Sequence, residues 1–269
     1  ETYKYMGKQL AALDHPGLRR LLCMTIGRLN STMLNAHPEL LEAGSKKLID
    51  QTYFKSSMEF RHRVGMLLEA VLRVAMTMRS RRLLATAVET ISMFKIGCST
   101  NALPWFNGQM TRTYGMLPRL KVLDKTVTCQ YDEIATGDQC ELSLELERIH
   151  AEAFLKQKLA IFKKQGIPPQ AGLQTYREVW WFMLQMKRVD GEILVPELDV
   201  HDLDVAPETL ELFRNEKERI LTAWPLVVQN VAQKTGKIKI QFKAPEQAGQ
   251  YQYFVTIKSQ DFLGADQEV

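Results

Sequence analysis

Apolar positions in the first part of the chain recur at helical spacing. Leu18, Leu21, Leu22, Ile26 and Leu29 share one side of a helix that Pro16, following Asp14-His15, is placed to open. Pro38 heads a second, short helical segment. Ser56 and Glu59 stand at capping-box spacing, and behind them Val64, Leu67, Leu68, Val71, Leu72, Ala75 and Met78 form one stripe, with the arginines largely on other sides. The pattern predicts a core-facing helix that starts at Ser56. Leu84, Ala87, Val88, Ile91 and Phe94 repeat it, and Gly97 is placed to end that helix. A further short helix is expected between Pro104-Trp105 and Gly115.

After Asp124 the period changes from 3.6 to 2. Val127, Cys129 and Tyr131 alternate with polar neighbours, Thr136-Gly137-Asp138 makes a turn, and Cys140, Leu142, Leu144 and Leu146 interleave with Glu141, Ser143, Glu145 and Glu147. These are half-buried strands. Ile238, Ile240 and Phe242 mark another, as do Tyr251, Tyr253, Val255 and Ile257, and the run Val179-Trp180-Trp181-Phe182-Met183-Leu184 supplies a fifth. Several short strands with a central tryptophan and a late tyrosine at a Gly-x-Tyr corner predict a β-sandwich. The expected class is α+β: a helical domain over 1–123, then an immunoglobulin- or fibronectin type III-like sandwich over 124–269. Two stretches stand apart from the strands and are read as insertions, at about 149–175 and 188–235. In the second, Leu210, Phe213, Ile220 and Trp224 fall on one helical side.

A chain of 269 residues with 45% apolar and 25% charged residues buries enough surface to fold without metals or disulfides, and its composition excludes disorder, collagen and coiled coil as the main description. Cysteines 23, 98, 129 and 140 form no CxxC pair, which points to a reducing compartment. No apolar run reaches the length of a membrane span and no signal peptide opens the chain. The first residues, Glu1-Thr2-Tyr3, lead us to expect an excerpt of a longer protein. Charge is unevenly placed: residues 1–123 hold 18 Lys+Arg against 8 Asp+Glu, a net of +10, whereas 124–269 hold 17 against 23, a net of −6. Arg61, Arg63, Arg73, Arg79, Arg81 and Arg82 make the helical part a candidate surface for nucleic acid, anionic lipid or an acidic partner.

The residues Phe242-Lys243-Ala244-Pro245, Gly249-Gln250-Tyr251-Gln252-Tyr253 and Ser259 to Gln267 resemble the last strands of the fibronectin type III-like module of the Sec-sixty-three family. The family pattern is F-x-A-P, G-x-Y-x-Y and S-D-S-Y-x-G-x-D-Q, from which Gln260-Asp261-Phe262 depart. The pair Trp180-Trp181 is shared, and Gly137-Asp138 with the strand to Arg148 looks like the family's first hairpin. Trp180, Trp181, Ala244, Pro245, Gly249, Tyr251, Tyr253, Gly264, Asp266 and Gln267 carry the signature. The resemblance implies a non-enzymatic cytosolic body of an endoplasmic-reticulum membrane subunit. Such a body docks on the Sec channel, helps open it for post-translational translocation, and associates with auxiliary translocon subunits. It implies also a J domain outside this chain that recruits the luminal chaperone BiP. The same module ends the cassettes of spliceosomal-type RNA helicases, the second expectation, in which the basic half would hold RNA.

No catalytic, cofactor or metal residues are expected. There is no GxxxxGK[ST] loop, HExxH or G-x-S-x-G elbow. Asp132-Glu133-Ile134-Ala135 is read as a solvated turn and not a helicase acidic box. His15 and His37 each precede a proline at a helix start, where a capping or surface role is enough, and Cys129 and Cys140 lie on neighbouring strands as reduced thiols. Asn30-Ser31-Thr32 matches a glycosylation sequon, which a cytosolic chain would leave unused.

Overall fold

The computed structural model describes residues 8, 10–29, 31, 43–97, 119–149, 151–189, 206–208, 211 and 218–269, with the backbone alone for 43–58. Helix α1 spans Pro16–Leu29, α2 Ala43–Thr77 and α3 Arg81–Ile96. His15 Nδ1 accepts the Gly17 N–H at 3.1 Å ahead of α1, so of the capping and surface roles it takes the first. The helix expected to open at Ser56 is already under way at Ala43. No proline intervenes and Lys46, Lys47, Leu48 and Gln51 are strong helix formers, so Ser56 and Glu59 lie inside a propagating helix. The stripe behind them also divides. Leu72, Ala75 and Met78 are buried and Leu68 packs beside them, whereas Leu67 is 58% and Val71 38% exposed. A flat contact takes one row of helix positions, and Leu67 and Val71 lie a row away. The helix proposed for 104–115 and the onset of the one after Pro38 lie outside the described residues.

Helix α3 ends at the expected Gly97 and begins at Arg81, two residues ahead of the apolar run from Leu83. Ser80 Oγ accepts the Leu83 N–H at 3.1 Å, and Gly97, at φ 75°, donates to Met93 O. A Cβ at this left-handed position would collide with Ser31 Oγ and Arg28, so the glycine is required twice over. Arg28 of α1 donates to Phe94 O at 2.8 Å and Lys95 O at 2.5 Å, with its guanidinium 5.9 Å from the Phe94 ring. A cation thus closes the carbonyl end of α3.

Seven strands follow among the described residues: β1 Arg119–Cys129, β2 Gln139–Ile149, β3 Glu178–Arg188, β4 Thr222–Val228, β5 Thr235–Lys243, β6 Tyr251–Ser259 and β7 Gln267–Glu268. They form two antiparallel sheets, ordered β1-β2-β5 and β4-β3-β6-β7, so the protein is α+β with a two-sheet sandwich. Strand β4 sits beside β3, unlike the constant-type immunoglobulin order. Strand β1 opens at Arg119, ahead of the change of period at 124, and Tyr131 lies beyond its end in an exposed turn. Helices α4, Ala151–Lys164, and α5, Pro169–Gln174, carry the chain from one sheet to the other, where the 149–175 insertion was placed.

The 188–235 stretch departs from expectation. Residues 207, 208 and 211 are helical, but Ile220 and Trp224 are not. Trp224 belongs to β4, paired with Phe182 of β3. Pro225 cannot continue a helix, while an edge strand accepts it, and the β-branched Val227-Val228 favour extension. The stretch therefore supplies one of the sandwich strands.

Strand β3 is buried on both faces. Trp180, Phe182 and Leu184 point into the sandwich with Leu144, Ile240, Val255 and Ile257. Val179, Trp181 and Met183 face α2 and α3, packing with Leu72, Ala75, Leu84, Val88 and Ile91. The helices are thus a third layer, and the unbroken apolar run of β3 is what a doubly covered strand requires.

Candidate functional site

The signature residues build architecture. Glu178 and Arg148 form a buried ion pair, their side chains 0% and 3% exposed. The guanidinium grips both carboxylate oxygens, at 3.1 and 2.8 Å, and donates also to Val231 O at 2.9 Å and Gln233 O at 2.6 Å. The Tyr176 hydroxyl and the Trp180 Nε1–H donate to the same carboxylate. Every acceptor has a donor, the condition under which burying two charges is tolerable. Burial, then the charge of Glu178, pushes the Tyr176 phenol well above the ordinary tyrosine range. Folded Tyr176 therefore keeps its proton at pH values where the unfolded tyrosine has lost it. Its stabilisation is complete below about pH 10 and falls as pH rises above that, by up to about 1.4 kcal/mol per unit. Tyr176→Phe is expected to flatten the alkaline loss of stability by that slope, read from urea midpoints between about pH 9 and 11. Tyr253, raised mainly by burial, keeps a smaller alkaline slope in place.

The C-terminal signature ties the layers together. Trp181 Nε1–H donates to Gln260 Oε1 at 3.0 Å. Ser259 Oγ accepts from the N–H groups of Asp261 and Phe262, and Asp261 accepts from Val179 N–H and pairs with Lys95 of α3, both at 2.7 Å. Gly264 turns at φ 72°, Asp266 pairs with Lys258 at 2.6 Å, and Gln267 lies in β7. Ala244 N–H donates to Asp138 O and Gly137 N–H to Pro245 O, which joins the end of β5 to the β1–β2 turn. Gly249 lies against Arg188. The Tyr251 hydroxyl donates to Gln247 O at 2.7 Å, the expected corner, and Tyr253 packs on Phe242 with ring centres 5.1 Å apart.

The six arginines of the helical part do not form one surface. Arg63 pairs with Glu59 along α2. Arg79, at φ 51°, and Arg82 flank the α2–α3 turn. Arg81 bonds Glu218 at 2.9 Å and Glu268 at 3.4 Å, so it fastens the helices to the sandwich. Arg61 and Arg73 line a cavity of about 600 Å³ between α2, α3 and the outer face of β3–β4. Its floor is Leu68, Leu72, Val179, Trp181, Pro225 and Val227, and Arg177, Lys95 and Glu69 stand with the two arginines around it. Sequence reading missed this recess because five separate elements build it, α1 contributing Arg28. The usable signal was the spacing Arg61, Gly65, Leu68, Leu72, Arg73, one helical face.

Two further features stand apart. The β1–β2 connection presents Asp132 and Glu133 between Tyr131, 67% exposed, and Ile134, 47% exposed, a solvated turn as expected. Cys129 and Cys140 face each other in register across β1 and β2 as free thiols, and burial first, then Cys129, raises the Cys140 thiol. Among the described residues no group of three or more His, Cys, Asp and Glu side chains could hold a metal ion, and no helix is long and apolar enough to cross a membrane. No family model matches the chain and no curated protein matches it significantly.

Proposed function

We propose that this chain is a non-catalytic docking body of the Sec-sixty-three type. Its sandwich would engage cytosolic loops of an endoplasmic-reticulum Sec channel and help open it. The observation that carries the reading is the β1–β2 tip: two exposed carboxylates flanked by two exposed apolar side chains, held on a turn pinned to β5. An element of that composition suits a basic, partly apolar loop, and complementary charge speeds the encounter. The signature residues support the reading by their places, since 242–267 contribute strands to both sheets and Trp180-Trp181 lie on the strand shared by both cores. Contact of the helical layer with the anionic cytosolic leaflet belongs to the same proposal, at about 1 kcal/mol per well-placed arginine, with Arg81 committed to the sandwich.

The test is co-purification of the chain with a detergent-solubilised Sec channel. Salt-sensitive association is expected, and the double substitution Asp132→Lys with Glu133→Lys should weaken it about tenfold or more. Absence of association, together with tight RNA binding whose affinity falls steeply with salt, would replace this reading with the helicase-module one.

A further inference from the structure

We propose that the recess between the helical layer and the β3–β4 sheet is a binding site for an acidic peptide segment carrying an apolar anchor residue. The inference goes beyond channel docking by the β1–β2 tip and does not rest on it, because the recess lies on a different face and takes ligands of opposite charge; it competes with the leaflet contact for Arg61 and Arg73, and the vesicle measurement below separates the two.

The recess combines two recognition elements. Leu68, Leu72, Val179, Trp181, Pro225 and Val227 give it an apolar floor, and a concave apolar surface with a few charged groups at its edge is the usual form of a ligand site. The edge carries Arg61, Arg73 and Arg177, whose guanidinium groups make no hydrogen bond or ion pair among the described residues. Against them stands one carboxylate, Glu69, while Lys95 is held by Asp261. Elsewhere in the described structure basic side chains beside acidic ones pair with them: Arg81 with Glu218, Lys258 with Glu89 and Asp266. Positive charge left unpaired around a low-dielectric floor focuses an attractive field on anions, and arginine forks match carboxylates in two-point geometry.

The shape selects among anionic ligands. A bilayer surface is broad and does not enter a recess, and nucleic acid brings phosphate without an aliphatic group for Leu68, Leu72 and Val227. A peptide supplies both, with carboxylates at the edge and one large side chain on the floor. Strand β4 borders the recess as the outermost strand of its sheet, but Pro225 removes a donor from that edge. Side-chain contacts therefore dominate over strand addition. Gly65 completes the opening: a Cβ there would meet nothing within 4 Å, so position 65 is where a larger side chain plugs the site without touching its charges.

The probe is a fluorescein-labelled twelve-residue peptide of glutamate and aspartate flanking a single leucine, followed by fluorescence anisotropy with the whole chain at low salt. Micromolar binding is expected. Arg61→Glu and Arg73→Glu should each weaken it about fivefold, with Arg61→Ala and Arg73→Ala giving the same direction at smaller size. Gly65→Leu should weaken it at least as much with charge unchanged, and replacing the peptide's leucine by serine should do likewise. Lys125→Glu, on β1 of the other sheet, should change it less than twofold. Helical ellipticity equal to that of the parent chain qualifies each variant. Failure of the peptide to bind, equal losses with Lys125→Glu, or indifference to both Gly65→Leu and the leucine-to-serine peptide would overturn the proposal. So would stronger binding to phosphatidylserine-containing vesicles or a single-stranded RNA that the same recess variants abolish.

Discussion

Glu178→Leu is expected to destabilise the protein by about 3–5 kcal/mol, a large part of the roughly 5–15 kcal/mol that holds an ordinary domain folded. The substitution leaves the Arg148 guanidinium buried without its carboxylate and takes the acceptor from Tyr176 and Trp180. Arg148→Met should cost a similar amount, because Glu178 would then be the lone buried charge and the carbonyls of Val231 and Gln233 would lose their donor. The double variant should be more stable than either single one, since no charge is stranded, yet below the parent chain because the phenol, the indole and the two carbonyls lose their partners. Urea unfolding of the four proteins measures the cycle. A Glu178→Leu midpoint within about 1 kcal/mol of the parent would show that the pair is not what holds β2 to β3.

Trp181→Ala is the second large effect, about 3–5 kcal/mol. The indole fills the space between the sheet and α2–α3, and its loss also strips Gln260 of its donor. Trp180→Ala should cost a comparable amount but with a different signature, because Trp180 faces the other core. Removing Trp181 is expected to separate two transitions, with helical ellipticity lost at lower urea than the fluorescence of the remaining sandwich tryptophans. Removing Trp180 is expected to weaken both together. A single coincident transition in Trp181→Ala would mean that the salt links from Arg81, Lys95 and Lys258 suffice to keep the layers coupled.

Periodicity made much of the fold legible. Helix α3 was readable at its end, to the residue at Gly97, because five apolar positions and a glycine agree, while its start at Arg81 is set by the Ser80 cap that the apolar run did not mark. Strands β2, β5 and β6 were readable because one face is core and the other water, and the double tryptophan marked β3. Strand β4 escaped because Trp224 falls at helical spacing from Leu210, Phe213 and Ile220 by coincidence, and because it is short and holds a proline. The true start of α2 escaped because a capping box inside a long helix looks like one at its end. Tertiary partnerships left no trace in sequence: Arg148 and Glu178 lie 30 residues apart, and the arginines of the recess meet β3 and β4 only through folding. The signature residues were legible as a set, although their places show them binding the layers to one another.

The apolar face of α2 and α3 is covered by β3, whose Val179, Trp181 and Met183 are made about 90 residues after Leu84 and Val88. A ribosome adding roughly 5–20 residues per second leaves that face uncovered for about 5–20 s during every round of synthesis. The nascent amino-terminal half is thus a natural client for chaperones that shield greasy helices, and slow translation between the two halves lengthens its exposure to self-association.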